Sequence, residues 1–260
     1  MNSKSENTPE VIFEDDALVA VVKPYGMIVN RADTSRYEYT LQDWAISNIK
    51  YQLQLNRSQI SNIKNIEESD FMKRSGIVHR LDKETSGIIL VAKNEKVFKE
   101  LQRQFKAREV KKTYAALCHG EIRSGGSVSV PIGRLPWNRM RFGVVPDGRS
   151  ATTDFRPENI YQDPDDKNSK LTLVNVFPKT GRTHQIRVHM QYLGNPVYSD
   201  ILYAGRKIAV RDRKRLGRHF LHAQKISFIH PQNGKKTTIA SGLPEDLSSF
   251  LNSLQKLNNS

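Results

Sequence analysis

The sequence predicts an α+β fold in which a mixed, mainly antiparallel sheet is flanked by helices and loops. Short apolar segments of strand length outnumber segments with helical spacing, and turn residues separate most of them. The chain lacks the glycine-rich turn between a strand and a helix that is typical of dinucleotide-binding folds. It also has no internal repeat, so the pattern does not fit a solenoid or a propeller.

The chain is expected to begin with a flexible tail followed by a buried strand. Residues 1–10 are polar and are expected to form the tail, whereas residues 17–22 are an uninterrupted apolar run. This strand should end in the Lys-Pro-Tyr-Gly segment at residues 23–26. Proline cannot donate to a strand ladder, and glycine accepts turn conformations.

A helix and a long loop are expected next. Thr40 can cap the helix with its hydroxyl, and Asp43 places an acidic side chain in the first turn. The apolar face of this helix consists of Leu41, Trp44, Ala45 and Ile49. Residues 50–75 are rich in Asn, Gln, Ser and Lys without a regular period, so most of them are expected to be loop.

Two strands with a helix between them are expected in the next part of the chain. Residues 86–92 and 114–118 are the two apolar segments, and Asn94 can cap the helix. The apolar stripe of this helix consists of Phe98, Leu101 and Phe105.

The rest of the chain supplies one more strand and one more helix. Residues 171–177 are expected to form the strand, and residues 183–193 the helix, which ends before Gly194. The apolar stripe of the helix consists of Ile186, Met190 and Leu193. Turns are expected at residues 125–126, 131–133 and 146–148 and at Gly234.

The composition restricts the compartment and the partners of the protein. The 260 residues include 41 Lys and Arg against 27 Asp and Glu, so the net charge is +14 and a phosphate-rich partner is expected. The single cysteine, Cys118, excludes an intramolecular disulfide framework and a thiolate-rich metal site, and it suits a reducing compartment. No apolar run is long enough to cross a bilayer, and the start of the chain lacks the pattern of a secretory signal. We therefore expect a cytoplasmic protein with no membrane partner.

The positive charge is concentrated in three places. Residues 206–218 hold seven Lys or Arg against one Asp, and residues 99–112 form a second basic segment. The third group surrounds Trp137 and consists of Arg134, Arg139, Arg141 and Arg149. Each segment alone is compatible with a solvated protein face. Three of them in one chain favour RNA or single-stranded nucleic acid, on whose unpaired bases a tryptophan can stack.

A compact polar cluster lies between two apolar segments in residues 77–93. Asp82 is flanked there by His79, Arg80 and Lys83. Cations that face this carboxylate would keep it ionised, which is the state that a nucleophile or a general base requires. The alternative is a turn aspartate in a local salt bridge.

A second polar cluster, TGRTHQIRVH, occupies residues 180–189. It lacks the pattern of a phosphate-binding P-loop, and its two histidines, His184 and His189, are not spaced as zinc ligands. Both histidines are therefore expected to be hydrogen-bonded packing residues. Arg187 is better placed for chemistry, because its guanidinium could form a bidentate pair with a buried carboxylate.

Three motifs together resemble one enzyme family. HRLDKETSG (residues 79–87), KKTYAALCHG (residues 111–120) and GRTHQIRVH (residues 181–189) occur in the order and approximate spacing of the RluA-type pseudouridine synthases. The resemblance covers nearly the whole chain. It implies one catalytic domain, residues 11–255, in a form without an S4 RNA-binding domain. It also implies isomerisation of uridine to pseudouridine in RNA, with no cofactor and no metal.

The resemblance also implies roles for individual residues. Asp82 matches the essential aspartate, which acts on the ribose as nucleophile or as base, and the sequence leaves that choice open. Arg187 matches the arginine that pairs with this carboxylate. Tyr114 matches the tyrosine that stacks on the target base and is implicated in removing the C5 proton. Arg80 matches the arginine that fills the space of the flipped nucleotide.

We therefore expect a monomeric RNA pseudouridine synthase that acts on structured tRNA or rRNA. The residues expected to bind RNA are Arg80, Arg134, Trp137, Arg139, Arg141, Arg213 and Arg215. Two alternatives remain at this point. One is a non-catalytic RNA-binding protein with the same fold, and the other is an N-glycosidase that releases the base.

Overall fold

The structure is a computed structural model that describes residues 8–31, 38–50 and 69–257, apart from the side chains of Arg139 and Met140. It has 22% helix and 38% strand in a mixed sheet, which confirms the predicted α+β class. The chain forms two compact units. The first unit comprises Met1–Val110 and Ile226–Ser241, and the second comprises Lys111–Lys225 and Gly242–Ser260.

Twelve strands and six helices are described in these ranges. The strands are β1 (Glu10–Glu14), β2 (Leu18–Lys23), β3 (Ser86–Ala92), β4 (Lys111–His119), β5 (Gly126–Ser129), β6 (Ile132–Leu135), β7 (Asn138–Val144), β8 (Thr152–Asp163), β9 (Asp166–Pro178), β10 (Leu221–Ile229), β11 (Lys236–Ala240) and β12 (Lys256–Leu257). The helices are α1 (Leu41–Asn48), α2 (Asp70–Lys73), α3 (Glu95–Lys106), α4 (Gln185–Tyr192), α5 (Arg206–Arg213) and α6 (Glu245–Ser253).

The first unit contains an antiparallel meander of β1, β2 and β3. The predicted strand at residues 17–22 is confirmed as β2, which ends at Lys23 before a turn in which Gly26 has a φ of +80°. The boundary of the predicted tail is wrong, because Glu10 already pairs with Val22 in the sheet. Residues 1–7 of that tail lie outside the described residues.

Two predicted helices of the first unit are confirmed with their caps. Thr40 Oγ1 accepts from the Asp43 N–H, and the Asp43 carboxylate accepts from the Thr40 N–H, which completes a capping box at the start of α1. Asn94 caps α3 by accepting from the Val97 N–H. Ile49 was predicted on the face of α1 but follows its last turn in an extended conformation.

The polar segment at residues 50–75 contains a short helix that its sequence did not predict. α2 begins after Ser69, whose hydroxyl accepts from the Met72 N–H. Phe71 of this helix is buried in the core of the first unit. This packing stabilises a helix that is too short to be stable alone. Residues 51–68, which were expected to be loop, lie outside the described residues.

The core of the first unit forms around β3, every residue of which is buried. The buried apolar residues around it are Ala17, Leu18, Ala20, Phe71, Val78, Val97, Phe98, Leu101, Val110, Ile226, Phe228 and Ile239. Gly76 lies beside this core with a φ of +72°. A Cβ atom at this position would lie 2.2 Å from the Ala92 carbonyl oxygen. The position therefore requires glycine.

The second unit is built on an antiparallel sheet in the order β4, β9, β8 and β12, with β5 also paired to β8. β4 and β9 confirm and extend the strands predicted at residues 114–118 and 171–177. β8 was not predicted, because Pro157 and several charged residues interrupt the apolar alternation that is typical of a strand. The pairing of β8 with β9 shifts register after Pro157.

β6 and β7 form a separate two-stranded sheet. Gly133 lies within β6, so the turn predicted at residues 131–133 is wrong.

α4 begins at Gln185, two residues later than predicted. His184 has a φ of +57°, a left-handed conformation that cannot continue an α-helix. Ile186 and Met190 pack into the core as expected, together with Cys118, whose burial raises the pKa of its thiol. Leu193 was predicted on the same stripe, but it follows the helix as its C-cap and is 37% exposed.

Candidate active site

Asp82 lies in the loop that leads into β3. Its side chain is half-buried, and its main-chain carbonyl accepts from the Thr85 N–H at 3.1 Å. The neighbouring residue, Lys83, accepts through its carbonyl oxygen from the Gly26 N–H at 2.8 Å. The loop of Asp82 is therefore bonded to the turn that follows β2.

A buried lysine strengthens this connection. Lys23 is fully buried at the end of β2, and its ammonium donates to the carbonyl oxygens of Pro24 at 2.7 Å, Met27 at 2.9 Å and Lys83 at 3.2 Å. The sequence assigned no role to Lys23 beyond the end of a strand. Its ammonium binds carbonyl groups of the turn after β2 and of the Asp82 loop, and these bonds compensate the burial of its charge.

The residues that flank Asp82 in the sequence have partners of their own. His79 Nε2 accepts from the Leu90 N–H at 3.1 Å. The Lys83 ammonium binds Glu38 at 2.6 Å. Arg80 is exposed. That cations face the Asp82 carboxylate stays a prediction.

Arg187 lies on α4 and is 5% exposed. Its Nε donates to Asp200 Oδ2 at 2.6 Å and its Nη2 donates to Asp200 Oδ1 at 2.8 Å, while Asp200 itself is fully buried. The bidentate pair with a buried carboxylate that was expected for Arg187 is present. Burial alone would raise the pKa of Asp200, but the hydrogen bonds and the charge of Arg187 outweigh burial and keep this pKa below its ordinary value. The pairing of Arg187 with Asp82 stays a prediction.

An aromatic cluster surrounds this ion pair. The Arg187 guanidinium lies over the Tyr203 ring at 5.0 Å, and the Arg141 guanidinium lies 5.4 Å from the centre of the same ring. The Tyr203 hydroxyl accepts from the Phe142 N–H at 3.2 Å and lies 2.9 Å from His184 Nδ1. His184 is thus a hydrogen-bonded packing residue, as expected. The sequence did not reveal Asp200 or Tyr203, because no local spacing connects them with Arg187.

Tyr114 lies on β4 opposite Val176. Its ring is partly buried against the core cluster that also contains Ile186 of α4. Tyr114 and the helix that carries Arg187 therefore lie on the same face of the sheet. The catalytic roles of Tyr114 and Arg187 stay predictions.

Lys112 lies two residues before Tyr114 and therefore points to the same face of β4. Its ammonium makes a long contact of 3.4 Å with the Thr180 carbonyl oxygen. Burial lowers the pKa of Lys112 to about 8. Such a lysine loses its proton at a lower pH than an ordinary lysine.

Trp137 lies at the turn of the β6–β7 hairpin and is 80% exposed. Arg134 lies over the Phe142 ring at 5.3 Å in the same hairpin. Arg141 Nε is buried without a hydrogen-bond partner among the residues that the structure describes. Arg139 belongs to β7, and its side chain lies outside the description. Trp137 is therefore open to solvent, and its stacking on bases stays a prediction.

The basic segment at residues 206–218 is largely occupied by internal contacts. Four of its arginines bind groups of the protein itself: Arg211 binds Asp163 at 2.8 Å, Arg213 binds the Ser199 carbonyl oxygen at 2.9 Å, Arg215 binds Asp165 at 2.8 Å and Arg218 binds Asp246 at 2.6 Å. Arg206, Lys207 and Lys214 are exposed. The segment therefore offers a smaller free positive charge than its composition indicates. Binding of RNA by Arg213 and Arg215 stays a prediction.

The described ranges contain neither a metal-binding cluster nor a membrane-spanning helix. No group of three or more His, Cys, Asp and Glu side chains there could hold a metal ion. No described helix has the length and apolar character that a membrane crossing needs.

Comparison with known proteins connects these features with one family. Residues 17–192 match the family model described as RNA pseudouridylate synthase. The chain is 41% identical over 182 residues to an uncharacterized RNA pseudouridine synthase of Chloroflexus aurantiacus, covering 70% of this chain and 54% of that protein. It is 36% identical over 252 residues to the ribosomal large subunit pseudouridine synthase D of Nitrosomonas europaea, covering 95% of this chain and 66% of that protein.

The chain thus spans between about half and two thirds of the length of these two relatives. A solved structure of the human RNA pseudouridylate synthase domain containing 1 matches all of this chain and 94% of its own, with a TM-score of 0.69 and 24% identity. That likeness shows a shared fold.

Proposed function

This chain belongs to the RNA pseudouridylate synthase family, and on that premise we propose that it converts uridine to pseudouridine in structured tRNA or rRNA. The observation that carries the proposal is the common sheet face of Tyr114 and the helix of Arg187. Tyr114 packs against the cluster that contains Ile186, the neighbour of Arg187, and this supports the proposal that Tyr114 and Arg187 serve one site. The third residue proposed for catalysis, Asp82, lies half-buried in a loop that a buried lysine holds.

The proposed reaction rearranges bonds within one nucleotide. The bond between C1′ and N1 breaks, the uracil turns, C5 bonds to C1′, the C5 proton leaves and N1 gains a proton. Asp82 is the proposed catalytic carboxylate, acting on the ribose as nucleophile or as base. Arg187 is proposed to pair with Asp82, and Tyr114 to stack on the base and take part in removing the C5 proton. Substrate and product are isomers, so we propose that no cofactor or metal is required.

A target uridine must leave its stack before a carboxylate can reach the ribose. This step costs a few kcal/mol and costs least where the base is already unpaired. Arg80 is exposed beside the Asp82 loop and is proposed to fill the space that the base vacates. The exposed Trp137 and the arginines of its hairpin are proposed to bind neighbouring nucleotides. We further propose that the enzyme acts as a monomer in the cytoplasm, where these RNAs are found.

Release of tritium from RNA labelled at uracil C5 tests the proposal. The wild-type protein should release tritium to water while uracil stays in the polymer. The Asp82→Asn variant should release none and should bind RNA within a few fold of wild type, because the change removes one charge and keeps the shape. Wild-type turnover in this variant would refute the mechanism.

The same assay distinguishes a pseudouridine synthase from the two alternative functions. A base-excising enzyme would liberate free uracil, and a non-catalytic RNA-binding protein would release neither tritium nor uracil.

A further inference from the structure

Asp200 is held in one orientation by both side-chain and main-chain donors. Its Oδ1 accepts from the N–H groups of Leu202 at 3.0 Å and Tyr203 at 3.2 Å, in addition to the bond from Arg187 Nη2. Its Oδ2 accepts from Arg187 Nε. Because main-chain N–H groups of its own turn hold the Asp200 carboxylate, both of its oxygens stay in position to accept from the guanidinium.

The Tyr203 side chain is fixed independently. Tyr203 is 3% exposed, and its hydroxyl is bonded to the Phe142 N–H of β7 and lies within hydrogen-bond distance of His184. The ring therefore has one position, and the Arg187 guanidinium lies over its face. A cation over an aromatic face is attracted to it, most strongly where water is excluded.

We propose that Asp200 and Tyr203 are positioning residues for Arg187. Asp200 binds the Nε–Nη2 edge of the guanidinium, and the Tyr203 ring packs against the face of the guanidinium. Together these contacts hold Arg187 in a single orientation before RNA binds. The inference rests on the proposed function, in which Arg187 pairs with the catalytic carboxylate of Asp82. A guanidinium that can rotate would meet that carboxylate at the wrong distance, and a misplacement of about 1 Å can lower a rate about a hundredfold.

A purely structural role for Asp200 is the competing explanation, and the chain contains a matched control. Asp212 is also fully buried and also binds an arginine, Arg211, at 3.3 Å. It accepts from the Ser199 N–H at 3.0 Å and binds His119 at 2.8 Å. Asp212→Asn therefore removes a buried negative charge of the same kind, at a position outside the contacts of Arg187 given above.

The first test compares Asp200→Asn with Asp212→Asn in the tritium-release assay, with the folded fraction of each measured by circular dichroism. We expect Asp200→Asn to lower kcat at least about tenfold and to leave KM within about threefold, because positioning acts in the transition state. We expect Asp212→Asn to lower the melting temperature and to keep kcat within about threefold for the folded protein. Equal kcat values in the two folded variants would overturn the proposal.

The second test does not depend on the Asp200 variant being folded. Tyr203→Phe keeps the ring under Arg187, whereas Tyr203→Leu removes it. We expect Tyr203→Leu to lower kcat at least about tenfold and Tyr203→Phe to lower it by a smaller factor, because Phe keeps the ring under Arg187 but loses the hydroxyl bonds that fix it. The same kcat in both would overturn the proposal. If the wild-type protein releases no tritium, the proposed function fails. If wild type is active and neither Asp200→Asn nor Tyr203→Leu lowers kcat, only this inference fails.

Discussion

The Lys23 ammonium lies 3.2 Å from the main-chain carbonyl oxygen of Lys83, the residue that follows Asp82. The end of β2 is thereby bonded to the loop that carries the proposed catalytic carboxylate. Because Lys23 is fully buried, water cannot replace its ammonium if the side chain is removed.

Replacement of Lys23 should therefore affect both stability and catalysis. Lys23→Met removes the donor from the carbonyl oxygens of Pro24, Met27 and Lys83. We expect the free energy of unfolding to fall by about 1–3 kcal/mol, since the Met27 carbonyl oxygen loses a donor at a buried position. Tritium release should fall as the Asp82 loop loses its anchor. Urea unfolding and the tritium assay measure the two effects.

Lys93 supplies the control for this prediction. It is 8% exposed and pairs with the exposed Glu14 at 2.7 Å, so Lys93→Met should change the free energy of unfolding by less than about 1 kcal/mol. Equal losses of stability in the two variants would contradict the role given to Lys23.

Arg187→Ala should destabilise the protein as well as inactivate it. The change leaves the fully buried Asp200 carboxylate without its cation, which typically costs about 3–5 kcal/mol. Loss of activity in this variant alone therefore says little about catalysis. Thermal unfolding of the purified variant measures the loss of stability.

A double variant separates the two effects of Arg187. In the Arg187→Met background, Asp200→Asn removes the unpaired charge while its amide oxygen can still accept from the main chain. We expect the double variant to be more stable than Arg187→Met alone and still inactive. A less stable double variant would show that the Asp200 charge does not destabilise the protein in the absence of Arg187.

Lys112 should make stability depend on pH above neutrality. Its pKa is lowered from 10.5 to about 8 in the folded protein, so between these values the unfolded chain binds more protons than the folded one. Stability should therefore rise with pH from about 8 to 10.5. Urea unfolding at several pH values measures this slope.

Two lysine variants test the assignment of that slope. Lys112→Met should remove the contribution of Lys112, and Lys111→Met, at the exposed neighbouring position, should retain the wild-type slope. An unchanged slope in Lys112→Met would show that other groups produce it.

Trp137→Ala should weaken RNA binding without weakening the fold. Stacking on one base is worth about 1–3 kcal/mol, so we expect the dissociation constant to rise between about fivefold and 150-fold. The side chain is 80% exposed, and the melting temperature should barely change. Fluorescence anisotropy with a labelled RNA measures the affinity. Trp137→Phe keeps an aromatic face and should retain most of the binding, whereas unchanged affinity in Trp137→Ala would exclude stacking by this residue.

The sequence predicted those elements whose signals are local. The caps of α1 and α3 join residues three positions apart, and the buried strands β2 and β3 are continuous apolar runs. Arg187 was also expected to meet a buried carboxylate. Its partner was not predicted, because Asp200 lies on a turn after α4 and no periodicity connects the two positions.

Tertiary contacts explain the remaining differences from the predictions. The charge of residues 206–218 was overestimated because the partners of its arginines, Asp163, Asp165 and Asp246, lie 28 to 50 residues away in the sequence. β8 was missed because it is polar along much of its length and contains a proline, yet it pairs with β9 over ten positions. A single sequence does not encode such long-range pairings in a local pattern.

Cys118 has a practical consequence for experiments on this protein. It is the chain's sole cysteine, it is fully buried, and its thiolate form is disfavoured by that burial. Maleimide dyes and spin labels should therefore leave the native protein unmodified. A thiol engineered onto the hairpin of Trp137 would then accept a probe at one chosen site, with no need to build a cysteine-free background first.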